Sequence, residues 1–513
     1  MPTTLGTSRC PSVFDAGLPT IDYETALNPD EVHAIVRRAR EQAPIAIGPH
    51  GPELLTYELV HDALRDPRFI VPPGMFLAAQ GITSGPLWDR VVTNIISLEG
   101  AEHHRLRRLV CKAFTPRATE RLRTTVDEVI HALLEQCADR GHCDVVADIA
   151  RHYPIPIICT LLGAPASDWE QFATWTDEFF KAFSWNAADE IPAILANWDE
   201  LDAYVDQMVA DRRHSLTDDL ISDLIRAEDD GDRLSLAELR MLAAGLLMAG
   251  TDTTRNQLAG SVYALTDHPE QWALLTEHPE LVGQAVEETM RHSPIAFGTI
   301  RVVTEDVEVA GVVIPRGTLV IVNTGAANRD PAVYDEPDRL DITRTGTRPM
   351  QTFGGGLHLC LGANLARLEL TEALVAMTQY MPSLRRSGPA GPPEPPRATE
   401  LRFRAIPRRD DGRVHAQLPA SAGREPRAGL TGLGKAGLSP PPAPCARRAP
   451  PRCRTTRSSA SARPSAWVRC SSASGTGRGG NVRDGPGSCR SPAAGCRRAG
   501  GRAGTSRPRS AGG

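Results

Sequence analysis

The chain has 513 residues, of which 41% are hydrophobic, 23% charged and 5% aromatic, and its formal net charge of −5 hides an uneven distribution. Residues 410–513 contain 19 Lys and Arg against 4 Asp and Glu, whereas residues 1–409 contain 38 against 58. The chain has no CxxC pair, no HExxH motif and no run of 18 apolar residues, and it begins with MPTTLGTSRC. The usual zinc motifs, a membrane span and a secretory signal peptide are therefore not expected, and we predict a cytoplasmic protein.

The composition divides the chain into three parts. Residues 1–20 are predicted to be a flexible N-terminus and residues 21–409 a single large domain, mainly α-helical with a smaller β portion. Residues 410–513 contain one aromatic residue, Trp467, and seven Leu, Ile or Val, too few apolar side chains to offset chain entropy. This low-complexity basic tail is predicted to be disordered or to be non-native translated sequence, and a nucleic-acid-binding arm is the less favoured alternative.

Hydrophobic periodicity predicts the elements of the large domain in chain order. Helices are predicted over residues 29–42, 101–113, 115–138, 144–162, 168–182, 235–268, 279–292 and 363–379, and strands over residues 299–304, 307–310 and 318–322. Residues 70–96 contain six Gly and Pro and are predicted to be a long loop, which in a compact domain is often functional.

The helix predicted at 235–268 is the most unusual element. It opens with a capping box, Ser235-x-x-Glu238, and at its length of about 50 Å it would cross the whole domain. Its middle reads AGTDTT, residues 249–254, although Gly, Thr and Asp are poor choices for a helix interior. A local conflict of this kind indicates a functional segment.

Cys360 lies after three consecutive glycines and just before the helix predicted at 363–379. Free backbone N–H groups and the helix dipole stabilise a thiolate at such a position, and Gly362 lets a flat group approach closely. The alternatives are a buried structural cysteine and a catalytic nucleophile. A nucleophile needs a His base, and His358 is only two residues away, a spacing that does not favour the pairing. We therefore predict a thiolate metal ligand.

The sequence around this cysteine resembles the haem-binding loop of the cytochrome P450 family. The matching residues are Phe353-x-x-Gly356-x-His358-x-Cys360-x-Gly362, in a form similar to the soluble bacterial members. The resemblance implies the triangular P450 fold, with haem b between the long helix and the helix that follows Cys360. It also implies that Cys360 is the axial iron ligand, that Phe353 shields its sulfur and that His358 hydrogen-bonds a haem propionate.

The middle of the long helix matches a second motif of the family. Asp252 and Thr253 correspond to its acid–alcohol pair, which would deliver protons during oxygen activation, and Ala249 and Gly250 precede them on the part of the helix that would lie over the haem. The alternative is a hydroxyl that caps a kink in the helix.

A third motif matches the family in order and spacing. Glu288-x-x-Arg291 corresponds to its ExxR, a structural pair that a third residue completes, and Arg339 and Arg344 are both open for that role. An i, i+3 ion pair alone would be weak evidence, since such pairs are common on helix surfaces.

The cationic residues near 103 resemble the family's propionate-binding helix. His103 and Arg107 are four residues apart and share one helical face, with His104 as the alternative register, and Arg301 matches a further propionate-binding arginine. On another face of the same helix, Arg105, Arg108 and Lys112 form a stripe. A solvated surface is the ordinary interpretation of such a stripe, and a docking patch for an acidic electron donor is the sharper one.

The resemblance implies a haem-thiolate monooxygenase of secondary metabolism. It would take two electrons from NAD(P)H through a ferredoxin and its reductase, use dioxygen as co-substrate, and hydroxylate or epoxidise a small molecule. We expect a monomer that binds no nucleic acid. The alternatives are a peroxide-driven peroxygenase and a haem-binding sensor or ligand carrier without turnover.

The residues that would line the substrate pocket by analogy with the family are nearly all apolar. They are Met75, Phe76, Leu77, Phe180, Phe183, Ala244, Leu247, Met248, Ile295, Ala296 and Phe297. This lining predicts a lipophilic substrate such as a terpenoid, a steroid, a polyketide or a fatty-acid derivative, and each of these residues could equally belong to the core.

Overall fold

The computed structural model describes residues 10–23, 26, 28–74, 77, 78, 80–138, 140–183, 187–229, 234–386 and 402–404, with the backbone alone at 183, 227–229 and 402–404. The predicted basic tail, 410–513, lies outside the described residues. Residues 10–20 correct the prediction of a flexible N-terminus, because they pack along the domain. Val13 is buried, and Ser12 and Thr20 form β-bridges to Val313 and Ile47.

Helices dominate the described part of the chain, which confirms the mainly α prediction. They are α1 (Pro29–Gln42), α2 (Tyr57–Ala63), α3 (Pro86–Val92), α4 (Gly100–Val110), α5 (Pro116–Glu120), α6 (Arg123–Ala138), α7 (Pro154–Leu162), α8 (Trp169–Phe180), α9 (Ala187–His214), α10 (Leu220–Asp229), α11 (Leu236–Asp267), α12 (Pro269–Glu277), α13 (Val282–His292), α14 (Thr324–Asn328) and α15 (Ala363–Tyr380).

The strands form a smaller β portion. They are β1 (Ile45–Gly48), β2 (Gly51–Leu54), β3 (Phe69–Ile70), β4 (His142–Asp144), β5 (Thr299–Val303), β6 (Val307–Val309), β7 (Val312–Ile314), β8 (Leu319–Val322) and β9 (Arg402–Arg404). One mixed sheet has the order β1-β2-β8-β5-β3, in which only the β2–β8 pair is parallel. β4 pairs with β9, and β6 pairs with β7.

The long helix α11 runs through the main core. Both hydrogen bonds of the predicted capping box are present at its start: the Glu238 N–H donates to Ser235 Oγ over 3.2 Å, and the Ser235 N–H donates to Glu238 Oε2 over 2.7 Å. α11 packs against α7, α8, α9, α13 and α15. A helix enclosed on this many sides buries apolar residues around most of its circumference, which explains why its sequence shows no single apolar stripe.

Two predicted helices are interrupted. The segment predicted at 115–138 breaks between α5 and α6, and the segment predicted at 144–162 begins as a wide turn, Val145–Ala150, before α7 starts at Pro154. Proline lacks an N–H and is favoured in the first turn of a helix, so Pro154 marks the new start. The stretch Val145–Leu162 is long and apolar enough to cross a membrane by length and composition, but 61% of it is buried inside the fold, as expected for a core helix.

Candidate active site

The loop before Cys360 is shaped by its glycines. Gly354 and Gly356 have φ of 71° and 62°, in the left-handed region that favours glycine. A Cβ at Gly356 would lie 2.2 Å from the carbonyl oxygen of Leu64, so a larger residue does not fit. The chain then turns back, and the Cys360 N–H donates to the Phe353 carbonyl over 2.9 Å. The loop therefore presents the thiol of Cys360 just ahead of α15.

The Cys360 side chain is accessible on one side of this loop and enclosed by protein on the others. That enclosure raises the pKa of the thiol, whereas the N–H of Gly362 and the guanidinium groups of Arg107 and Arg367 lower it. A Cβ at Gly362 would meet no described atom within 4 Å, so the loop leaves this side open. Arg367 also stacks 4.5 Å above the ring of Phe353. An accessible sulfur beside a donor and two cations suits a thiolate metal ligand.

Beside the cysteine loop, α4 contributes to a cluster of cationic groups. The rings of His103 and His358 are 4.5 Å apart, and Arg107 donates to the carbonyl of Leu359, which ties α4 to the loop. His358 Nε2 lies 3.0 Å from Glu99 Oε1. The predicted residues of the propionate site, His103, Arg107 and His358, are thus neighbours.

His103 and His104 occupy different environments. His103 is 1% exposed, and its Nδ1 has no hydrogen-bond partner among the described residues. Burial, followed by the charges of His358 and Arg107, lowers the pKa of His103 to about 4, so its ring is neutral near pH 7. His104 is exposed and bonds the Gly100 carbonyl of its own helix. The orphaned nitrogen of His103 favours it over His104 as the group that meets an anionic ligand.

Arg301 reaches the same region from β5. It is buried, and its Nη1 donates to Thr299 Oγ1 and to the Ile300 carbonyl, both over 2.8 Å. Burial lowers the pKa of Arg301, whereas the negative charge of Glu99 raises it. A buried guanidinium is costly unless anions neutralise it, so this position also favours an anionic ligand.

Glu99 is a member of this cluster that the sequence interpretation missed. Its Oε1 accepts the Val71 N–H over 2.8 Å and also contacts His358. Burial raises the pKa of Glu99, but the hydrogen bonds from His358 and Val71 outweigh that effect and hold the pKa below its usual range. The one available signal was the position of Glu99 directly before the first turn of α4, where the helix dipole stabilises a carboxylate.

The Glu288–Arg291 pair is completed by Arg344. Arg291 donates to both carboxylate oxygens of Glu288 over 2.7 and 2.8 Å, and both side chains are 3% exposed. Arg344 Nε lies 3.3 Å from Glu288, whereas Arg339 pairs with Glu336 at the surface. Arg291 also donates to the backbone carbonyls of residues 328, 337 and 339. The pair therefore fastens α13 to the irregular segment that leads to the cysteine loop.

The middle of α11 exposes one narrow strip. Ala249 and Thr253, four residues apart, are exposed although most of the helix is buried, and Thr253 Oγ1 donates to the Ala249 carbonyl over 2.7 Å. One turn further, Gln257 Nε2 donates to the Ser293 carbonyl over 3.2 Å, and its Oε1 accepts the Ile295 N–H over 3.3 Å. Gln257 thus joins this strip to the exposed segment after α13.

Asp252 belongs to a charged chain that leads to the surface. Arg255 Nε donates to its Oδ1 over 2.9 Å, and Asn256 Nδ2 donates to its Oδ2 over 3.1 Å. Arg255 also donates to Asp177 over 3.1 Å, and Asp177 pairs with Arg151 at 2.8 Å, where the Arg151 side chain is 57% exposed. The carboxylate next to Thr253 is therefore connected to solvent through charged side chains.

Gly250 also has a packing role in this structure, and its predicted place at the cofactor stays a prediction. A Cβ there would lie 2.3 Å from Ile158 Cδ1, so glycine allows α11 and α7 to approach closely. No contact of this kind was foreseeable from the local motif, because the residue that requires the glycine lies in a distant helix.

Glu369 is a second acidic residue that the sequence interpretation missed. It lies on α15, is 1% exposed, and neither carboxyl oxygen has a hydrogen-bond partner among the described residues. Burial raises the pKa of Glu369 well above its usual range, and the hydroxyl of Thr254, which faces it from α11, opposes this only in part. Burial therefore favours the neutral form of the Glu369 carboxyl in the folded protein. An acidic residue at an apolar position of an amphipathic helix was the available signal.

The predicted substrate-lining residues separate into accessible and buried sets. Ile295 and Ala296 are exposed, Phe180 is half-buried, and Phe297 stacks on His33 with ring centroids 4.7 Å apart. Leu77, Ala244, Leu247 and Met248 are at most 7% exposed and pack in the main core, which favours the alternative that they are core residues. Burial alone does not separate core from pocket, because both use the same apolar side chains. Met75, Phe76 and the side chain of Phe183 lie outside the described residues.

The predicted docking stripe is only partly exposed. Arg105 is half-buried and forms an ion pair with Glu238 in the first turn of α11, so it has a structural role. Arg108 and Lys112 are exposed. The turn that carries Lys112 is tied to the start of α15 by the hydrogen bond from Asn364 Nδ2 to the Phe114 carbonyl, 2.9 Å, so this surface borders the cysteine loop.

Comparisons with known proteins identify the family to which the chain is similar. The family model for cytochrome P450 matches residues 89–381. The chain is 41% identical to mycinamicin IV hydroxylase/epoxidase of Micromonospora griseorubida over 66% of this chain and 84% of that protein, and 37% identical to vitamin D(3) 25-hydroxylase of Pseudonocardia autotrophica over 70% and 87%. It superposes on P450BioI, solved with an acyl carrier protein bearing hexadec-9Z-enoic acid, with a TM-score of 0.68 and 32% identity, covering 74% of this chain and 99% of that one.

Proposed function

The chain belongs to the cytochrome P450 family and is a cytochrome P450 monooxygenase, and on this premise we propose that it oxygenates a lipophilic small molecule with electrons from a ferredoxin and its reductase. The family uses haem and dioxygen. The observation that carries the proposal is the accessible Cys360 thiol, which lies beside a cationic cluster and ahead of α15.

The residues present fit a haem b. Cys360 would be the axial ligand, and His103, Arg107, Arg301 and His358 would hold the propionates. The fit is supported by the orphaned Nδ1 of His103, to which a propionate would give a partner, and by the open side of the loop at Gly362. When bound, the haem supplies oxygen activation, and a thiolate ligand pushes electron density that favours O–O cleavage.

Proton movement is the part of the reaction that α11 would control. The Thr253 hydroxyl is accessible and is held in place by the Ala249 carbonyl, so it can pass a proton without bulk water. Asp252 can exchange protons with solvent when its carboxylate leaves Arg255 and turns toward the surface, while Arg255 and Arg151 hold the carboxylates and carry no proton themselves. A relay of this kind lets protons in one at a time.

A lipophilic substrate fits the surface near Thr253. The accessible residues next to it, Ala249, Ile295 and Ala296, carry only hydrocarbon side chains. Such a surface binds by excluding water and offers no charged group to orient a polar substrate. The names of two relatives point the same way, since one acts on vitamin D(3) and another is bound to a protein that carries hexadec-9Z-enoic acid.

A Thr253→Ala variant tests this proposal. With ferredoxin, reductase, NADH and a substrate found by screening, the wild type should convert most of the NADH consumed into oxygenated product. Thr253→Ala should consume NADH and release peroxide instead, because proton delivery is uncoupled. Thr266→Ala is the matched control, since Thr266 also bonds carbonyls of α11 but lies 13 residues further along the helix.

The two alternatives give other outcomes. A peroxygenase would form product from peroxide at an equal rate in the presence or absence of the donor proteins. A ligand carrier would bind substrate without substrate-dependent consumption of oxygen. Unchanged coupling in Thr253→Ala would contradict the assigned proton route while leaving the monooxygenase assignment in place.

A further inference from the structure

Two buried cysteines lie together at the end of α6. Cys137 is in the last turn of α6 and Cys143 is in β4, and the two are 4% and 1% exposed. Between them the chain reverses at Gly141, which has φ of 68°. The reversal places both side chains in the same buried cluster, close enough for each thiol to shift the pKa of the other. Neither residue takes part in the site at Cys360.

The two sulfurs are chemically unequal. Arg140 Nη2 donates to Cys137 Sγ over 3.4 Å, whereas Cys143 Sγ lies 3.9 Å from the Met381 sulfur in an apolar environment. The interaction with Cys143, together with the hydrogen bond from Arg140, lowers the pKa of Cys137 despite its burial and the nearby charge of Asp148. The same pairing and burial raise the pKa of Cys143. Cys137 is therefore the sulfur that ionises first, and a thiolate is the reactive form of cysteine.

A cavity of about 510 Å³ borders Cys137. Its wall is formed by α6, by the turn before α7 and by the start of α8, and includes Arg140, Asp148, His152 and Trp169. Arg140 pairs with Asp148 at 2.9 Å across this wall. His152 stacks edge-on against Trp169, and its Nδ1 is buried without a hydrogen-bond partner among the described residues. A small oxidant can thus reach Cys137 beside a guanidinium and an imidazole, while Cys143 lies behind it.

We propose that Cys137 and Cys143 form a peroxide-sensitive dithiol, in which Cys137 reacts first and Cys143 closes a disulfide. In the first step the Cys137 thiolate attacks one oxygen of hydrogen peroxide, the O–O bond breaks, and a sulfenic acid and hydroxide form, the hydroxide leaving as water after taking a proton. In the second step the Cys143 sulfur attacks the sulfenic sulfur, the S–S bond forms, and a second water leaves with the Cys143 proton. Two thiols are oxidised and one peroxide is reduced to two waters.

The experiment uses the full-length, haem-loaded protein with a few equivalents of hydrogen peroxide, followed by peptide mass spectrometry. The wild type should acquire a disulfide between Cys137 and Cys143 that dithiothreitol reverses. In Cys143→Ser the sulfenic acid should persist, and dimedone should label Cys137 about tenfold or more faster than Cys159. Cys159 is the internal reference because it is fully buried and burial raises its pKa to about 12.

Arg140→Gln supplies an independent test. The Arg140 side chain is 46% exposed, so the variant should fold, and loss of its hydrogen bond to Cys137 should slow labelling of that residue in the Cys143→Ser background. Labelling of Cys137 no faster than Cys159 would overturn the proposal. A wild-type disulfide that joins Cys137 to any other cysteine would overturn the assigned pair. Neither result bears on the monooxygenase function, since no residue of the Cys360 site is changed.

Discussion

Two regions of the molecule are stabilised in different ways: the Glu288–Arg291 cluster that supports the segment leading to the Cys360 loop, and the middle of α11 around Thr253. On the cysteine side, Arg291 alone bonds Glu288 and three backbone carbonyls, and Glu288 also accepts from Arg344. On the α11 side, the Thr253 hydroxyl bonds a carbonyl of its own helix, and the accessible side chains at Ala249, Ile295 and Ala296 are apolar. A region that must hold one geometry is fixed by polar contacts at set spacings, whereas a region that admits substrates uses apolar surface, which many sequences can supply.

The largest expected effect on stability comes from a substitution in the polar Glu288–Arg291 cluster. Glu288→Gln leaves the buried Arg291 and the partly buried Arg344 without their counter-charge, so the free energy of unfolding should fall by about 3–5 kcal/mol, measured by urea denaturation. Glu336→Gln is the control, because its pair with Arg339 is more than half exposed on both side chains and should contribute less than about 1 kcal/mol. Equal losses in the two variants would contradict the structural role of Glu288.

A smaller, pH-dependent effect is expected at Glu369, where α15 meets α11. The raised pKa of this carboxyl means that the unfolded chain loses its proton near pH 4.5 while the folded chain keeps it. Stability should therefore decline as the pH rises above about 4.5, by at most about 1.4 kcal/mol per pH unit. Glu369→Gln cannot ionise and should remove this decline, measured as the melting temperature from pH 5 to 8.

The matched control for Glu369 is on the same helix. Glu372 pairs with Arg123, so Glu372→Gln should lower the stability at neutral pH instead of raising it. If Glu369→Gln leaves the pH profile unchanged, the buried carboxyl is not neutral in the folded protein, and a partner must supply its charge balance.

The smallest expected effect concerns electron delivery beside the cysteine loop. Lys112→Glu should raise the KM for an acidic ferredoxin several-fold at low salt, and added salt should reduce the difference, because exposed charges act mainly on encounter and are screened. Arg316→Glu makes the same charge change in the turn between β7 and β8 and should leave the KM unchanged. An equal increase in both variants would indicate a general charge effect and no docking patch.

The sequence predicted the residues of the Cys360 loop and the Glu288–Arg291 cluster better than the apolar residues near Thr253. Cys360 and the Glu288–Arg291 pair were identified from local motifs that resemble those of the cytochrome P450 family, whereas the i, i+3 spacing of the pair alone would have been weak evidence. The choice between Arg339 and Arg344 was not, because it depends on how the irregular segment folds back onto α13. Glu99 and Glu369 were missed for a related reason: their significance comes from burial and from partners far away in sequence.

For the predicted substrate-lining residues, the sequence indicated only that they are apolar. Ala244 and Leu247 are buried in the main core, and Gly250 packs against Ile158, so their residue types alone do not separate a pocket position from a core position. Helical periodicity gives the face of a residue but does not indicate whether another helix or a ligand covers that face. Substrate identity is therefore the property that the local sequence encodes least.

The most direct test of the central claim is the absorption spectrum of the purified, dithionite-reduced protein with and without carbon monoxide, beside Cys360→Ser. The account predicts the far red-shifted Soret band of the family in the wild type and its loss in the variant, because only a thiolate at residue 360 produces it. Haem uptake without that band in the wild type, or an unchanged band in Cys360→Ser, would contradict ligation by Cys360.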